Sequence, residues 1–234
     1  MTPATPDLTG YFAIHHAVRR APHRMAAAAR DLDPGDTERV KALVRYWNGY
    51  RGELDEHHRV EDDIFFPALV ERVPFADELV ARTAAEHTEL DDLLADGRRA
   101  VAHLQAGRAD DGEHLAATFD AVAAHLDAHL DFEDAEILPL FARHLSRDEY
   151  DAMYAKASKG LGLRQALFTV PFLGLAASDE ARTQLLADAP AALTVIFRLT
   201  RRHHLRLESA VFGSADAAPL GSESNPPARP TSLA

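Results

Sequence analysis

His15, His57, Glu61 and Pro67 recur as His87, His129, Glu133 and Pro139, each displaced by 72 residues. Within each half the two His stand 42 apart, and the second His precedes the Glu by four. Imidazole and carboxylate are donors that hold first-row metals where no thiolate is present. Periodic self-similarity at such spacing implies a two-metal site built from pseudo-symmetric halves. A carboxylate has two oxygens, so Glu61 and Glu133 can each bridge two ions. Four imidazoles with two carboxylates suit iron, and could also hold zinc, manganese or copper. With two divalent ions the set keeps a net positive charge.

The offset also chooses between neighbours. His15-His16 and His57-His58 are doublets, and adding 72 to the second members gives Thr88 and Leu130. The first member of each doublet is therefore the expected ligand. Asp62 recurs as Asp134, and this pair is expected to orient imidazole N–H groups. His204 and Glu208 share the four-residue spacing but have no repeat partner, so they are expected on the surface. His23, His103, His114, His144 and His203 also lack partners and read as solvated. His125 lies one turn before His129 and reads as a ligand, a supporting group or a proton shuttle. Its counterpart in the first half is Glu53. Tyr50 lies seven residues before His57, where it is either a core residue or a group near the metal. His125, Glu53 and Tyr50 are the candidates for assisting roles.

These side chains need helices to carry them. Residues i and i+4 lie on one helix face, so His57 with Glu61, and His129 with Glu133, project side by side. A first helical pattern runs from Leu8 to Leu32, with Pro22 expected to bend or interrupt it. Asp33-Pro34-Gly35-Asp36 reads as a turn, with Asp36 as a cap. Further helices are expected over Thr37 to Glu71, Ala76 to Leu104 and Glu113 to His144, with a break at Val73-Pro74. Four long segments with short connections predict an all-α, up-down-up-down four-helix bundle with a C-terminal helical extension. The organisation read from the chain is a bundle over 1–145, the extension over 146–212 and a Ser- and Pro-rich disordered tail over 213–234. In the extension, Asp148 to Lys159 and Pro190 to Glu208 read as helical.

Composition narrows the functions. The chain has 234 residues and a net charge of -12, from 25 basic and 37 acidic residues. Such an acidic chain with no basic block is not expected to bind nucleic acid or an anionic membrane. The absence of Cys removes disulfides, thiol catalysis, thiolate-held zinc and iron–sulfur clusters, and fits a cytoplasmic location. The N-terminal residues show no secretory pattern. The most apolar stretch, Ala166 to Ala177, is broken by Pro171 and is too short to span a bilayer.

The motifs resemble the hemerythrin-like, or HHE cation-binding, family. They are His15-His16-Ala17-Val18-Arg19, His57-His58-Arg59-Val60-Glu61-Asp62 leading to Phe65-Phe66-Pro67, Glu86-His87, and His129-Leu130-Asp131-Phe132-Glu133-Asp134 leading to Ile137-Leu138-Pro139. The resemblance covers about residues 8–145. It implies a four-helix bundle holding two iron ions, bridged by carboxylates and an oxo or hydroxo group. His15, His57, His87 and His129 become iron ligands, and Glu61 and Glu133 bridging ligands. Zinc or manganese are the lesser alternatives. The resemblance departs in the third helix, where oxygen-carrying members have an HxxxH pair and this chain has His87 followed by Asp91. Fewer protein ligands leave positions for water, peroxide or nitric oxide. The functional expectation is therefore a di-iron protein that binds or processes O2, peroxide or NO, with peroxide decomposition as a possible activity. The alternative is a non-enzymatic iron or oxygen sensor that signals through its extension.

Overall fold

The computed structural model describes residues 4–107 and 111–213. Among these residues the chain is helical throughout, and no strand forms. The tail expected over 213–234 falls, past Gly213, outside them. Among the described residues no helix is long and apolar enough to cross a membrane.

Helix α1 spans Thr9–Arg30 and α2 spans Thr37–Val60. A π-helical turn, Glu61–Phe65, joins α2 to α3, Phe66–Arg72. After a 3-10 turn at Pro74–Ala76 come α4, Asp77–Gln105, and α5, Asp111–Phe132. A second π turn, Glu133–Ile137, joins α5 to α6, Leu138–His144. The two π turns are themselves 72 residues apart, so the repeat is visible in the backbone as well as in the side chains. Proline explains both. Pro67 and Pro139 have no N–H to continue the α pattern. The preceding amides, those of Phe66 and Leu138, reach back five residues to the carbonyls of Glu61 and Glu133.

Helices α1, α2, α4 and α5 surround one core, with α1 along α5, α5 along α4, and α2 against both α1 and α4. One apolar cluster centres on Trp47, Met25, Phe119 and Leu90, and a second on Phe65, Leu69, Ile137 and Phe141. The chain passes from the first to the second through His57–Glu61 and again through His129–Glu133, so the donors sit between two apolar layers. Trp47 packs against Gly97 of α4, where an added Cβ would come within 2.6 Å of the indole ring. Asp36 caps α2 by accepting from the Arg39 amide at 3.0 Å.

Pro22 does not interrupt α1, which runs through it. Its missing N–H leaves the Val18 carbonyl, one turn earlier, without its helical donor. The Tyr50 hydroxyl supplies that donor at 3.1 Å, from a fully buried position. The expected break is thus repaired across the α1–α2 interface.

The extension consists of α7, Arg147–Gly160, α8, Leu163–Ala176, α9, Asp179–Asp188, and α10, Ala191–Phe212. A capping box, Ser146 with Glu149, starts α7. Helices α8 and α10 pack on each other and on α2. Gly49 makes this possible, because a Cβ there would overlap the Phe168 ring of α8. His204 and Glu208 are not on the surface as expected. His204 is buried against Tyr46 and Phe168, and Glu208 pairs with Arg24 at 2.8 Å. The reason is the inward stripe Phe197, His204, Leu207 and Val211, which recurs at helical spacing along α10. Burial pushes the His204 imidazole down to about 4.

Candidate metal centre

The inward stripe at the end of α2 is Leu54, His57 and His58, continued by Glu61 in the π turn, at spacings i, i+3, i+4 and i+7, and all four are buried. Helix α1 contributes His15, α4 contributes His87, and α5 contributes His129, with Glu133 at its end. The six residues singled out by the repeat, His15, His57, Glu61, His87, His129 and Glu133, converge in one buried volume.

They form two groups that share the carboxylates. Glu61 Oε1 lies 3.3 Å from His57 Nε2 and 3.9 Å from His15 Nε2, while its Oε2 lies 3.6 Å from His87 Nε2. Glu133 Oε2 lies 3.4 Å from His15 Nε2, and its Oε1 lies 3.5 Å from His129 Nε2. Two donors each about 2.1 Å from a common ion stand roughly 3.0–3.4 Å apart at octahedral or tetrahedral angles. The observed separations are close to that.

The second group has a member that the repeat argument excluded. His58 joins His87 and His129, their donor atoms all within 4.8 Å of one another. Its ring stacks on His87 with centroids 4.0 Å apart. Both first members, His15 and His57, are buried as expected of ligands; of the second members His16 is exposed, whereas His58 is buried as well. Helix α2 packs against both α1 and α4, so a step of one residue around it turns from one group to the other. The symmetry mate of His58 is Leu130, which is also fully buried. The repeat therefore kept the position inward and changed only its chemistry. The i, i+3, i+4, i+7 stripe was the signal that should have retained His58.

Carboxylates outside the cluster hold the rings. The Nδ1 atoms of His15, His87 and His129 face Asp134 at 2.7 Å, Asp62 at 3.1 Å and Glu86 at 2.9 Å. A ring that donates from Nδ1 presents the Nε2 lone pair inward. Asp62 and Asp134 thus occupy the orienting positions expected of them, and Glu86 adds a third. Arg82 in turn binds Glu86 at 2.8 Å, and Arg19 lies 3.6 Å from Asp134.

Tyr11 is a further contact that sequence reasoning did not single out. Its hydroxyl donates to Glu61 Oε1 at 2.6 Å, and its ring meets His15 edge-on. Its position one turn before His15 on the same helix face was the available signal. Tyr50 instead spends its hydroxyl on Val18, which assigns it to the core. His125 faces the Glu86 backbone carbonyl with Nε2 at 2.9 Å, bracing the residue that orients His129. Asp91 is exposed, as are His23, His103, His114, His144 and His203. Glu53 is buried and accepts from Thr169 of α8.

Electrostatics shows what the cluster lacks. Burial pushes His57 down to about 3 and His58 well below the ordinary imidazole range. Burial acts against charge on Glu61, but His57, His15 and His58 outweigh it and hold the carboxyl well below the usual range. Burial, followed by the negative charge of Glu61 and Asp134, pushes Glu133 well up. Two carboxylates this close cannot both ionise comfortably without added positive charge. Among the described residues, buried polar atoms without a partner concentrate here. Eight of the twelve belong to the cluster: the Nε2 atoms of His15, His57, His58, His87 and His129, Oε2 of Glu61 and both oxygens of Glu133. Buried polar groups are normally paired. Inward lone pairs, outward N–H anchors and a shortage of positive charge together fit bound metal cations.

The model of the hemerythrin HHE cation binding domain family matches residues 11–141. No curated protein and no solved structure gives a significant match.

Proposed function

The chain belongs to the hemerythrin HHE cation-binding family, whose match spans more than half of it, and on that premise we propose a non-haem di-iron protein that binds or processes O2, peroxide or NO. We read its four long helices as an up-down-up-down bundle over 1–145, with the extension over 146–212, and place the protein in the cytoplasm. The observation that carries the reading is the shared pair of carboxylates between two imidazole groups, every inward donor being anchored or orphaned. His15 and His57 would hold one ion, His58, His87 and His129 the other, and Glu61 and Glu133 would bridge them. Two irons held there would supply Lewis acidity and redox equivalents to a small ligand.

The residues have separable tasks. Asp134, Asp62 and Glu86 fix the ring orientations of His15, His87 and His129. The Tyr11 hydroxyl holds one oxygen of Glu61 and limits its rotation. The apolar layers around Phe65 and Phe141 keep bulk water from the donors. One group has two imidazoles and the other three, which leaves the His15–His57 side with more room for an outside ligand.

The test is metal quantification with the optical spectrum, before and after peroxide or NO. Two irons per chain and a ferric spectrum that responds to either reagent are expected. Protein purified without iron, with stability unchanged in a His57→Ala, His129→Ala double variant, would overturn the metal reading. For enzyme activity, peroxide consumption should fall sharply in Glu61→Ala; consumption that tracks free iron removes the enzyme claim. The sensor alternative is favoured by the bond from Thr169 of the extension to Glu53 of the metal-bearing helix. It requires oligomeric state or partner binding to change between oxidised and reduced protein.

A further inference from the structure

Beside His57, residues of α1, α2 and the extension together line a cavity of about 170 Å³. Its wall includes Tyr11, Glu53, His57 and Glu61 of the bundle, and Val170, Leu173 and Leu185 of the extension. A dry, engineered cavity of about 150 Å³ takes benzene, whereas one water occupies only about 30 Å³. The space is therefore larger and more apolar than O2, NO or hydrogen peroxide requires.

Glu53 stands out in this wall. It is buried, lies on α2 about two turns before Glu61 of the π turn, and takes no part in the ligand set. Its carboxyl is held from the extension: Gln165 donates to the Thr169 hydroxyl at 3.1 Å, and Thr169 donates to Glu53. Burial pushes the carboxyl up to about 7, so near neutrality it can donate or accept a hydrogen bond. Other polar side chains in the wall have partners: Glu56 binds Arg59, Arg182 pairs with Asp179, and Ser158 donates to the Tyr154 carbonyl. A second, more polar cavity of about 430 Å³, lined by Asp7, Arg147 and Gln184, shares Tyr150, Tyr154, Ser158 and Leu185 with the first. The two cavities therefore adjoin.

We propose that the cavity lined by Glu53 and His57 binds a small apolar molecule carrying one hydroxyl or hydroperoxyl group, with Glu53 holding the polar end beside His57. This deepens the metal reading by naming a substrate class, R–OH or R–OOH with a compact hydrocarbon R. Only the orientation toward the metals rests on that reading; occupancy of the cavity does not.

The probe is 4-fluorobenzyl alcohol, followed by 19F NMR on the full chain as purified, with 4-fluorotoluene as the apolar control. Saturable binding of the alcohol is expected, weakened at least tenfold in Leu173→Trp, which fills the cavity. Val170→Phe serves as a second filling variant, and both are checked for folding by circular dichroism. Glu53→Leu should weaken the alcohol about tenfold while leaving 4-fluorotoluene as tight or tighter. In iron-containing samples the bound signal should broaden, because the cavity reaches His57. No saturable binding, binding unaffected in both folded filling variants, or equal effects of Glu53→Leu on the two probes would overturn the site. A bound signal of unchanged width in iron-loaded protein would overturn the placement beside the metals. Iron is quantified on the same samples. Binding without iron then counts against the metal reading alone, and iron without binding counts against the cavity alone.

Discussion

His58→Leu should change stability in opposite directions in the metal-free and metal-loaded protein. In the metal-free state the His58 Nε2 is buried without a partner. Removing a buried unsatisfied group of this kind recovers about 1–3 kcal/mol, and Leu fills the space between Leu54 and Glu61 with apolar atoms. Metal-free stability should therefore rise. In the loaded state the same change deletes a donor. Losing merely a residue that orients a ligand costs roughly 10–100-fold in metal affinity. Loss of the ligand should cost at least that, or about 1.4–2.7 kcal/mol of stability linked to binding. The stability gained on loading should shrink by at least this amount. Urea unfolding followed by circular dichroism, with and without iron, measures both quantities, and iron per chain is read in parallel. His16→Leu is the control: His16 is exposed, so its effect should stay within about 0.5 kcal/mol in either state. The reasoning fails if His58→Leu destabilises the metal-free protein by more than about 1 kcal/mol. It also fails if the gain on loading and the iron content are unchanged.

Tyr50→Phe should cost about 1–3 kcal/mol by leaving the Val18 carbonyl unpaired. In a Pro22→Ala background residue 22 regains its N–H and that cost should largely vanish; additive effects in the urea cycle would refute the repair of α1 by Tyr50. Glu53 rises from 4.5 to about 7 on folding, which corresponds to about 3 kcal/mol. The folded carboxyl keeps its proton longer than the unfolded one, so its contribution is full below pH 4.5 and is lost as pH rises through 7. Glu53→Gln should accordingly exceed wild type by up to about 3 kcal/mol above pH 7 and converge with it below pH 4.5; a pH-independent difference would contradict the burial argument. Gly49→Ala forces a methyl into the Phe168 ring and should cost about 1–3 kcal/mol in thermal or urea unfolding. Glu86→Ala frees the His129 ring and should lower iron affinity 10–100-fold in a chelator competition, with helix content unchanged.

Spacing alone determined a good deal. A repeat of 72 residues, with i and i+4 pairing on helices, was sufficient to bring His15, His57, Glu61, His87, His129 and Glu133 into one volume, because helical periodicity sets which face of each element turns inward. Recurrent Pro67 and Pro139 belonged to the same pattern, and their missing N–H groups account for the two π turns. What periodicity does not report is what lies across the interface. Tyr11 meets Glu61 fifty positions away, Glu86 meets His129 over 43, Thr169 meets Glu53 over 116, and His15 meets Asp134 over 119. These contacts depend on which helices are neighbours, and that choice is made by packing. The same packing brought His58 inward from the α4 side of α2, gave the Tyr50 hydroxyl to the carbonyl that Pro22 had orphaned, and buried His204 between the extension and α2. It also left the space between α1, α2 and the C-terminal helices, which no local pattern encodes because its walls come from segments that meet only in the folded chain.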